Sequence, residues 1–369
     1  MTDQLKMAGI SVGGPAKKHL AEIEASQRAI DAVAAARRHG KIFVTTQAAG
    51  ANDSPEKILF DAGKQTPKEM IDAYSARRAH YDTVPLDVEG NVVRLYKGQW
   101  TIFSGYTGTG KTTFLRQMVC HLLKAGKSVF VATLEADPED YLVELASTAA
   151  GVEMVSETQL AAFLAAFGEQ IKLWGIVGVA DHRKILATVR DLAKQEGGLD
   201  YAVLDSLMML DIEEDDIDEQ RKFAGLLTAS AITTGVHIIL VAHPKKPMDA
   251  EAPPTVHNVS GSSKLVNLAF NVLFIRRGPP VAGQDHSITQ MQLHILKQRT
   301  RGLVGEITGC FYRHHNQFHL DAYAQQPTFY MLAEHYPASG LTEDIPEHIL
   351  NRNAFTVDRE TSTSAPWEI

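Results

Sequence analysis

The sequence has few cysteines, no long apolar run and no excess of positive charge. Its two cysteines, Cys120 and Cys310, cannot build a disulfide framework or a zinc site, and their apolar neighbours favour buried, inert thiols. No apolar run reaches the roughly 18 residues that a membrane helix needs, so we expect a soluble, cytoplasmic protein with no membrane partner. The formal net charge of −8 excludes a uniformly basic nucleic-acid coat protein.

Composition divides the chain into three parts. Residues 1–84 contain Ala-rich helical stretches, His19 to Arg38 and Pro67 to His80, and predict a helical N-terminal extension with a linker helix. Residues 85–325 carry the patterned core. Residues 326–369 form an acidic C-terminal tail, since residues 331–369 hold seven acidic and two basic side chains; we expect this tail to be mobile.

Short apolar runs alternate with helical segments through the core. We predict strands at Trp100 to Ser104, Ser128 to Leu134, Ile171 to Ile176, Tyr201 to Asp205, Val236 to Ala242, Asn271 to Arg276 and Gln290 to Leu296. We predict helices at Lys111 to Ala125, Pro138 to Ala150, His182 to Gln195 and Ile217 to Thr233. This alternation is typical of an α/β fold with a mostly parallel central sheet flanked by helices.

A glycine-rich motif separates the first predicted strand from the first core helix. The segment from Gly105 to Thr112 satisfies G-x-x-x-x-G-K-[ST] in the strand–loop–helix context that a phosphate loop requires. Its N–H groups and Lys111 suit a triphosphate, and the Thr112 hydroxyl suits Mg²⁺. We therefore predict binding of ATP or a dNTP with Mg²⁺. The predicted nucleotide contacts are Gly105, Thr107, Gly108, Thr109, Gly110, Lys111, Thr112 and Thr113.

Two acidic residues follow predicted strands. Asp205 ends the apolar run Tyr201 to Asp205, which is how a buried strand presents one carboxylate at the edge of a sheet; we expect it to hold Mg²⁺ with Thr112. Glu135 follows the strand Ser128 to Leu134 and is placed to orient the water that attacks the terminal phosphate. Together these residues predict nucleotide hydrolysis.

These motifs, with three later ones, resemble a known family. The segments that carry the resemblance are Leu134-Glu135, Leu204-Asp205-Ser206, Val241 to Pro247, Val259 to Lys264, and Ile295 to Arg299 followed by Gly302 and Gly305. In this order they are similar to the RecA-like core of ring-shaped replicative DNA helicases, superfamily 4. His243 makes the chain resemble the Twinkle-type and phage primase-helicase branch more than bacterial DnaB. The resemblance covers residues 85–325.

The resemblance implies roles that spacing alone does not supply. It implies that His243 senses the γ-phosphate and that Lys297 and Arg299 act in the neighbouring subunit's site, so that the active protein is a homo-hexamer. It also implies that Arg277 packs on the nucleotide base, with Tyr312 as a second base contact.

The family's pore loops imply single-stranded DNA as a partner. The corresponding DNA-binding residues are Lys245, Lys246, Gly261, Ser262, Ser263 and Lys264. Two departures affect the details of this contact, since Phe270 stands where many relatives carry Asp and Val266 where the phage branch has a basic residue.

Several alternatives stay open. The implied function is an NTP-driven helicase that translocates on single-stranded DNA and unwinds duplex; the alternative is a nucleotide-gated DNA-binding or loader ATPase, recombinase- or clock-like, without unwinding. Residues 1–84 are either a degenerate primase remnant or a helical oligomerisation segment. The tail or the extension could dock a polymerase or a primase, or the tail could serve only solubility. The acidic stretch Asp211 to Glu219 is expected to be a solvated loop and helix start.

Overall fold

A computed structural model of the chain describes the core and isolated positions on either side of it. The described residues are 80–86, 93–245, 252–278, 287–300, 302–320 and, outside these ranges, 28, 43–45, 68, 71–72, 75, 327–328 and 330–331.

Among the described residues, ten strands form one sheet and two short strands form a second. The strands are β1 (Phe43–Thr45), β2 (Tyr81–Asp82), β3 (Leu95–Tyr96), β4 (Trp100–Gly105), β5 (Val129–Thr133), β6 (Ile171–Trp174), β7 (Tyr201–Asp205), β8 (His237–Ala242), β9 (Asn271–Arg277), β10 (Ile288–Gln298), β11 (Gly305–Tyr312) and β12 (Gln317–His319). The large sheet has the order β1-β6-β5-β7-β8-β4-β9-β10-β11-β12, and β2 pairs with β3.

Pairing in the large sheet changes direction once along this order. All pairs from β1 to β9 are parallel, whereas β10, β11 and β12 add antiparallel strands beside β9. The parallel strands are buried along nearly their whole length, as expected for strands covered on both faces.

Helices cover both faces of the sheet. They are α1 (Lys111–Lys124), α2 (Pro138–Ala150), α3 (Glu157–Phe167), α4 (His182–Lys194), α5 (Ile217–Thr234) and α6 (Ser263–Leu268). The first three share one hydrophobic core with residues such as Phe103 and Val131, and the last three share a second core with Trp100 and Phe130. The result is a three-layer arrangement with the sheet in the middle.

The predicted architecture is confirmed. Each predicted core strand and helix is present, and the observed bounds of the strand Tyr201–Asp205 and the helix Pro138–Ala150 are those predicted. The other elements shift by one or two residues at their ends, most in the strand predicted at Gln290 to Leu296, which is observed as Ile288–Gln298.

Several elements escaped the sequence analysis, among them α3 and the strands β1, β2, β3, β11 and β12. Helix α3 begins at a capping box in which Ser156 and Gln159 bond each other's backbone N–H groups, a local signal that could have revealed it. Strand β12 has only three residues and depends on a distant side chain: Gln117 of α1 donates to the Phe318 carbonyl at 2.8 Å and accepts from the Phe318 N–H at 2.6 Å.

The N-terminal and C-terminal predictions lie largely outside the described residues. Of the linker helix predicted from Pro67 to His80, positions 68, 71, 72 and 75 are helical and exposed. The Ala-rich stretch His19 to Arg38, the possible primase remnant and the acidic tail fall almost wholly outside the described part of the chain. No helix among the described residues combines the length and apolar character of a membrane span.

The contact between α1 and β12 makes a test of the fold. Gln117 is buried, so Gln117→Leu leaves the N–H and the carbonyl of Phe318 without partners inside the protein. We expect the free energy of unfolding, measured with urea, to fall by about 2–4 kcal/mol. The exposed Gln195 is the matched control, since Gln195→Leu should change it by less than about 0.5 kcal/mol. Equal stabilities of the two variants would contradict this role of Gln117.

Candidate functional site

The phosphate loop joins β4 to α1 and is shaped by its glycines. Gly108 and Gly110 have positive φ values of 74° and 85°, which side chains disfavour. A Cβ on Gly105 would lie 2.4 Å from the carbonyl oxygen of Ile275 in β9, so only glycine lets the loop start this close to the neighbouring strand. The Thr109 hydroxyl donates to the Tyr106 carbonyl at 2.6 Å and closes the loop.

Lys111 opens α1 with its ammonium turned back into the loop. Its Nζ donates to the carbonyls of Gly105 at 2.7 Å and Tyr106 at 3.2 Å. Burial lowers the pKa of Lys111, while the negative charges of Asp205 and Glu135 act in the opposite direction. The ammonium is therefore within the electrostatic field of both predicted acidic residues.

Threonines follow Lys111 on the first turn of α1. Thr112 is exposed, so its hydroxyl is accessible for a metal ion. The Thr113 hydroxyl instead accepts from Arg116 Nη2 at 3.3 Å, and Arg116 also pairs with Glu144 of α2. Thr113 thus connects the loop to a structural ion pair, and its predicted nucleotide contact stays a prediction.

Three neighbouring parallel strands bring the acidic residues and His243 together. Asp205 ends β7 and lies opposite Thr133 of β5, while Glu135 follows β5 and His243 follows β8. His243 Nε2 lies 3.2 Å from Glu135 Oε1. Because a carboxylate only accepts hydrogen bonds, His243 must carry its proton on Nε2 to make this contact.

Ser206, to which the sequence analysis gave no role of its own, joins this cluster. The hydroxyl of Ser206, the residue after Asp205, donates to the same Glu135 oxygen, Oε1. Glu135 is exposed and holds two donors on one oxygen, which leaves Oε2 for another donor. Local motifs cannot reveal this bond, because the two residues are 71 positions apart.

Asp205 carries an electrostatic cost. Burial, and next the negative charge of Glu135, raise its pKa to about 6, although His243, Lys111 and Arg116 act in the opposite direction. Burial and the neighbouring carboxylate thus disfavour the charged form of Asp205 in the absence of a ligand, and carboxylate oxygens are ligands of the kind that Mg²⁺ prefers. Asp205 and the Thr112 hydroxyl therefore fit the predicted metal ion chemically.

The predicted base contacts lie at the same edge of the sheet. Arg277 is exposed at the end of β9, two residues beyond Ile275, which pairs with Gly105. Tyr312 ends β11 but is buried, with its ring stacked on His315 at a centroid distance of 5.5 Å and an interplanar angle of 10°. Contact of either residue with a base stays a prediction.

Lys297 and Arg299 lie near the end of β10, beside the start of β9, whereas the phosphate loop follows the opposite end of the parallel strands. Lys297 Nζ donates to the carbonyls of Val266 at 2.9 Å and Asn267 at 2.8 Å, and Arg299 Nη2 also donates to the Asn267 carbonyl. Burial, together with the charge of Arg299, lowers the pKa of Lys297 to about 8. The basic pair thus binds carbonyls at the C-terminal end of α6.

The two predicted DNA loops are joined to each other. The N–H of Lys245 donates to the Asn258 carbonyl at 2.7 Å, and the N–H of Ser260 donates to the His243 carbonyl at 2.8 Å. Lys245, Ser263 and Lys264 are exposed, whereas Lys246 lies outside the described residues. Two of the predicted contact residues, one on each loop, therefore present ammonium groups to solvent.

The Gly-Ser loop has a structural anchor. Ser262 is buried, its side chain caps α6, and its N–H donates to the side chain of Gln220 in α5. Gly261 has a φ of 95° and passes close to the same side chain. Ser262 and Gly261 thus shape the loop, and Gln220, which no local pattern marked, holds it.

The acidic stretch is an ordered part of the loop structure. Glu214 accepts from the Ser260 hydroxyl at 2.8 Å, Asp216 caps α5, and Asp211 accepts from His182 Nδ1 at 2.7 Å. As predicted, this stretch contains a loop and the start of α5. Asp211, Glu214 and Asp216 are not merely solvated, however, because each accepts a specific hydrogen bond.

The described residues form a RecA-like α/β fold, with a phosphate-loop motif between β4 and α1. Residues 75–249 match the family model described as AAA domain. The structure is similar to the ATPase domain of G40P, with a TM-score of 0.56 and 16% sequence identity over 69% of this chain and 98% of that one.

A second similar structure is a DnaB-like replicative helicase, solved to describe its interactions with primase. The TM-score is 0.55 at 15% sequence identity, over 70% of this chain and 67% of that one. The chain therefore has the RecA-like ATPase fold found in DnaB-like replicative helicases, which confirms the predicted fold class and the resemblance to ring-shaped helicases at the level of the fold. The preference for the Twinkle-type branch stays a prediction.

The raised pKa of Asp205 makes a test of the site's electrostatics. Between its ordinary pKa of 3.8 and about 6, the folded protein holds this proton more tightly than the unfolded chain does. Native stability should therefore fall as pH rises through this window. We expect Asp205→Asn, without nucleotide and with EDTA, to raise the free energy of unfolding by about 2 kcal/mol at pH 7.5 and by almost nothing at pH 4.

Asp191, an exposed aspartate of α4, supplies the control for this experiment. Asp191→Asn should change the free energy of unfolding by less than about 0.5 kcal/mol. A gain for Asp205→Asn that is equal at both pH values would mean that the cost of the Asp205 charge is not its cause.

Proposed function

We propose that the protein is a ring-forming, Mg²⁺-dependent NTPase that translocates on single-stranded DNA and unwinds duplex, as a replicative helicase does. One observation carries the proposal: Asp205, Glu135 and the phosphate loop lie at the carboxyl ends of the parallel strands, whereas Lys297 and Arg299 lie beside the opposite ends. A site for phosphoryl transfer split in this way is completed by a second copy of the chain.

Strand register supports this division. Gln298 pairs with Asn271, which pairs with Thr101 near the start of β4, whereas the phosphate loop begins at Gly105. The four residues between these levels span about 13 Å at 3.3 Å per residue. Because Lys297 and Arg299 lie at the end of the strands far from the phosphate loop, contact with the phosphate loop of their own chain is disfavoured. Head-to-tail contacts between copies close into rings when the rotation permits.

The residues of one chain have distinct parts in the proposed reaction. Loop N–H groups and Lys111 bind the triphosphate of ATP or a dNTP. Thr112 and Asp205 would hold Mg²⁺, which would supply positive charge to offset that of the phosphates. Glu135 orients a water through the oxygen that Ser206 and His243 leave open, and accepts its proton as the water attacks the γ-phosphorus and the nucleoside diphosphate leaves.

The neighbouring subunit supplies positive charge to this reaction. In the proposed ring, Arg299 stabilises the charge that develops on the transferred phosphoryl group, and Lys297 assists it. The lowered pKa of Lys297 means that this group is charged below about pH 8 and loses its charge above it.

His243 connects the reaction to the DNA loops. Its side chain contacts Glu135, and its carbonyl accepts from Ser260 of the Gly-Ser loop. Loss of the γ-phosphate would be transmitted through this residue to Lys245, Lys246 and Lys264, which would move along the DNA backbone. Contacts to phosphates carry no sequence information, so binding should be salt-sensitive and sequence-tolerant.

We further propose a homo-hexamer, with a primase or polymerase as partner of the N-terminal extension or the acidic tail. The hexamer rests on the resemblance to ring-shaped helicases and on the split site. The partner rests on the acidic composition of residues 331–369, which is typical of interaction tails.

A subunit-mixing experiment tests the shared site. We expect single-stranded DNA to stimulate nucleotide hydrolysis by the native protein, and Glu135→Ala and Arg299→Ala each to lower the stimulated rate at least about 100-fold. An equimolar mixture, dissociated and reassembled, should regain a substantial part of the rate. Interfaces that combine Glu135 of one variant with Arg299 of the other would be intact.

Arg221 on α5 supplies the control, because its exposed guanidinium pairs only with Asp218 on the same helix among the described ion pairs. Arg221→Ala should hydrolyse nucleotide as the native protein does. Turnover indifferent to DNA, or an Arg299→Ala protein as active as native, would overturn the translocase and favour the nucleotide-gated alternative. Strand displacement on a forked duplex then distinguishes a helicase from a translocating ATPase.

A further inference from the structure

Phe270 occupies the short connection between α6 and β9, beside Arg299. The guanidinium carbon Cζ of Arg299 lies 5.2 Å from the centroid of the Phe270 ring. This is within the range in which an arginine is attracted to the face of an aromatic ring. The two residues also share a backbone bond, since the N–H of Arg299 donates to the Phe270 carbonyl at 2.8 Å.

Phe270 is itself held in place. Its N–H donates to the carbonyl of Trp100, the first residue of β4, at 3.0 Å, and its half-buried ring packs against the second hydrophobic core. The ring is therefore a fixed surface, built on the central strand of the sheet, against which a long and exposed side chain rests. An arginine that is restrained in this way loses less conformational entropy when it binds a phosphate.

The chemistry of the contact is suited to a group that must keep its charge. A carboxylate at this position would form an ion pair with Arg299 and compensate its charge, whereas an aromatic face attracts the guanidinium without neutralising it. The one described side-chain hydrogen bond of Arg299 goes to the neutral Asn267 carbonyl. Further N–H donors of its guanidinium remain for an anion.

We propose that Phe270 is a positioning residue for Arg299: its ring and carbonyl hold the guanidinium at the sheet edge in the orientation that serves the neighbouring subunit's nucleotide site. This inference rests on the proposed function, in which Arg299 acts across the subunit interface. It assigns a role to the position at which the chain departs from many ring-helicase sequences.

The test compares two substitutions at Phe270. Phe270→Leu keeps an apolar side chain but removes the ring face, and we expect it to lower DNA-stimulated turnover about three- to tenfold. Phe270→Tyr keeps the ring and should stay within about twofold of native. A tyrosine variant as impaired as the leucine variant would overturn the role of the ring.

Subunit mixing separates positioning from a general loss of structure. Phe270→Leu mixed with Glu135→Ala should regain activity, because interfaces form between an intact Glu135 site and an intact Phe270–Arg299 pair. Phe270→Leu mixed with Arg299→Ala should regain none, because every interface lacks either Arg299 or the ring beneath it. Equal behaviour of the two mixtures would overturn the inference and indicate a structural role.

The outcomes also distinguish this inference from the proposed function. A Phe270→Leu protein as active as native, beside an inactive Arg299→Ala protein, would refute positioning by Phe270 and leave the shared site intact. A fully active Arg299→Ala protein would refute the shared site itself.

Discussion

The close approach of two carboxylates, Asp205 and Glu135, to one partly buried lysine is the interaction on which the site depends. Burial raises the pKa of Asp205 and lowers that of Lys111, while each charge opposes the shift of the other. Parallel pairing makes this possible, because β5 and β7 end at the same edge of the sheet as the phosphate loop. The arrangement is costly without a ligand and favours binding of a cation and a phosphate chain together.

Contacts lead from this cluster to the exposed lysines in few steps. Ser206 and His243 share one oxygen of Glu135, the His243 carbonyl accepts from Ser260, and the Gly-Ser loop continues into α6. The C-terminal carbonyls of α6 then bind Lys297 and Arg299. One short helix therefore connects the loop proposed to touch DNA with the basic pair proposed to act on the next subunit's nucleotide.

Features that depend on a short stretch of sequence could be predicted. The strand Tyr201–Asp205 was predicted at its observed bounds because a run of apolar residues between polar ends is buried on both faces. The phosphate loop is a local motif as well. Long-range side-chain bonds could not be predicted: Gln117 reaches Phe318 across 201 positions and Gln220 reaches Ser262 across 42. Likewise, strand order and register place Lys297 at the opposite end of the strands from the phosphate loop, and the residues around Lys297 do not reveal either of them.

The position of β4 within the sheet has a consequence for the part of the chain that matches the AAA domain. β4 carries the phosphate loop and lies between β8 and β9, yet the matched segment ends at residue 249, before β9 begins. In a protein truncated there, β4 would be an exposed edge strand, whose unpaired N–H and carbonyl groups could pair with another chain. The matched segment alone is thus expected to self-associate through the very strand that carries its nucleotide loop.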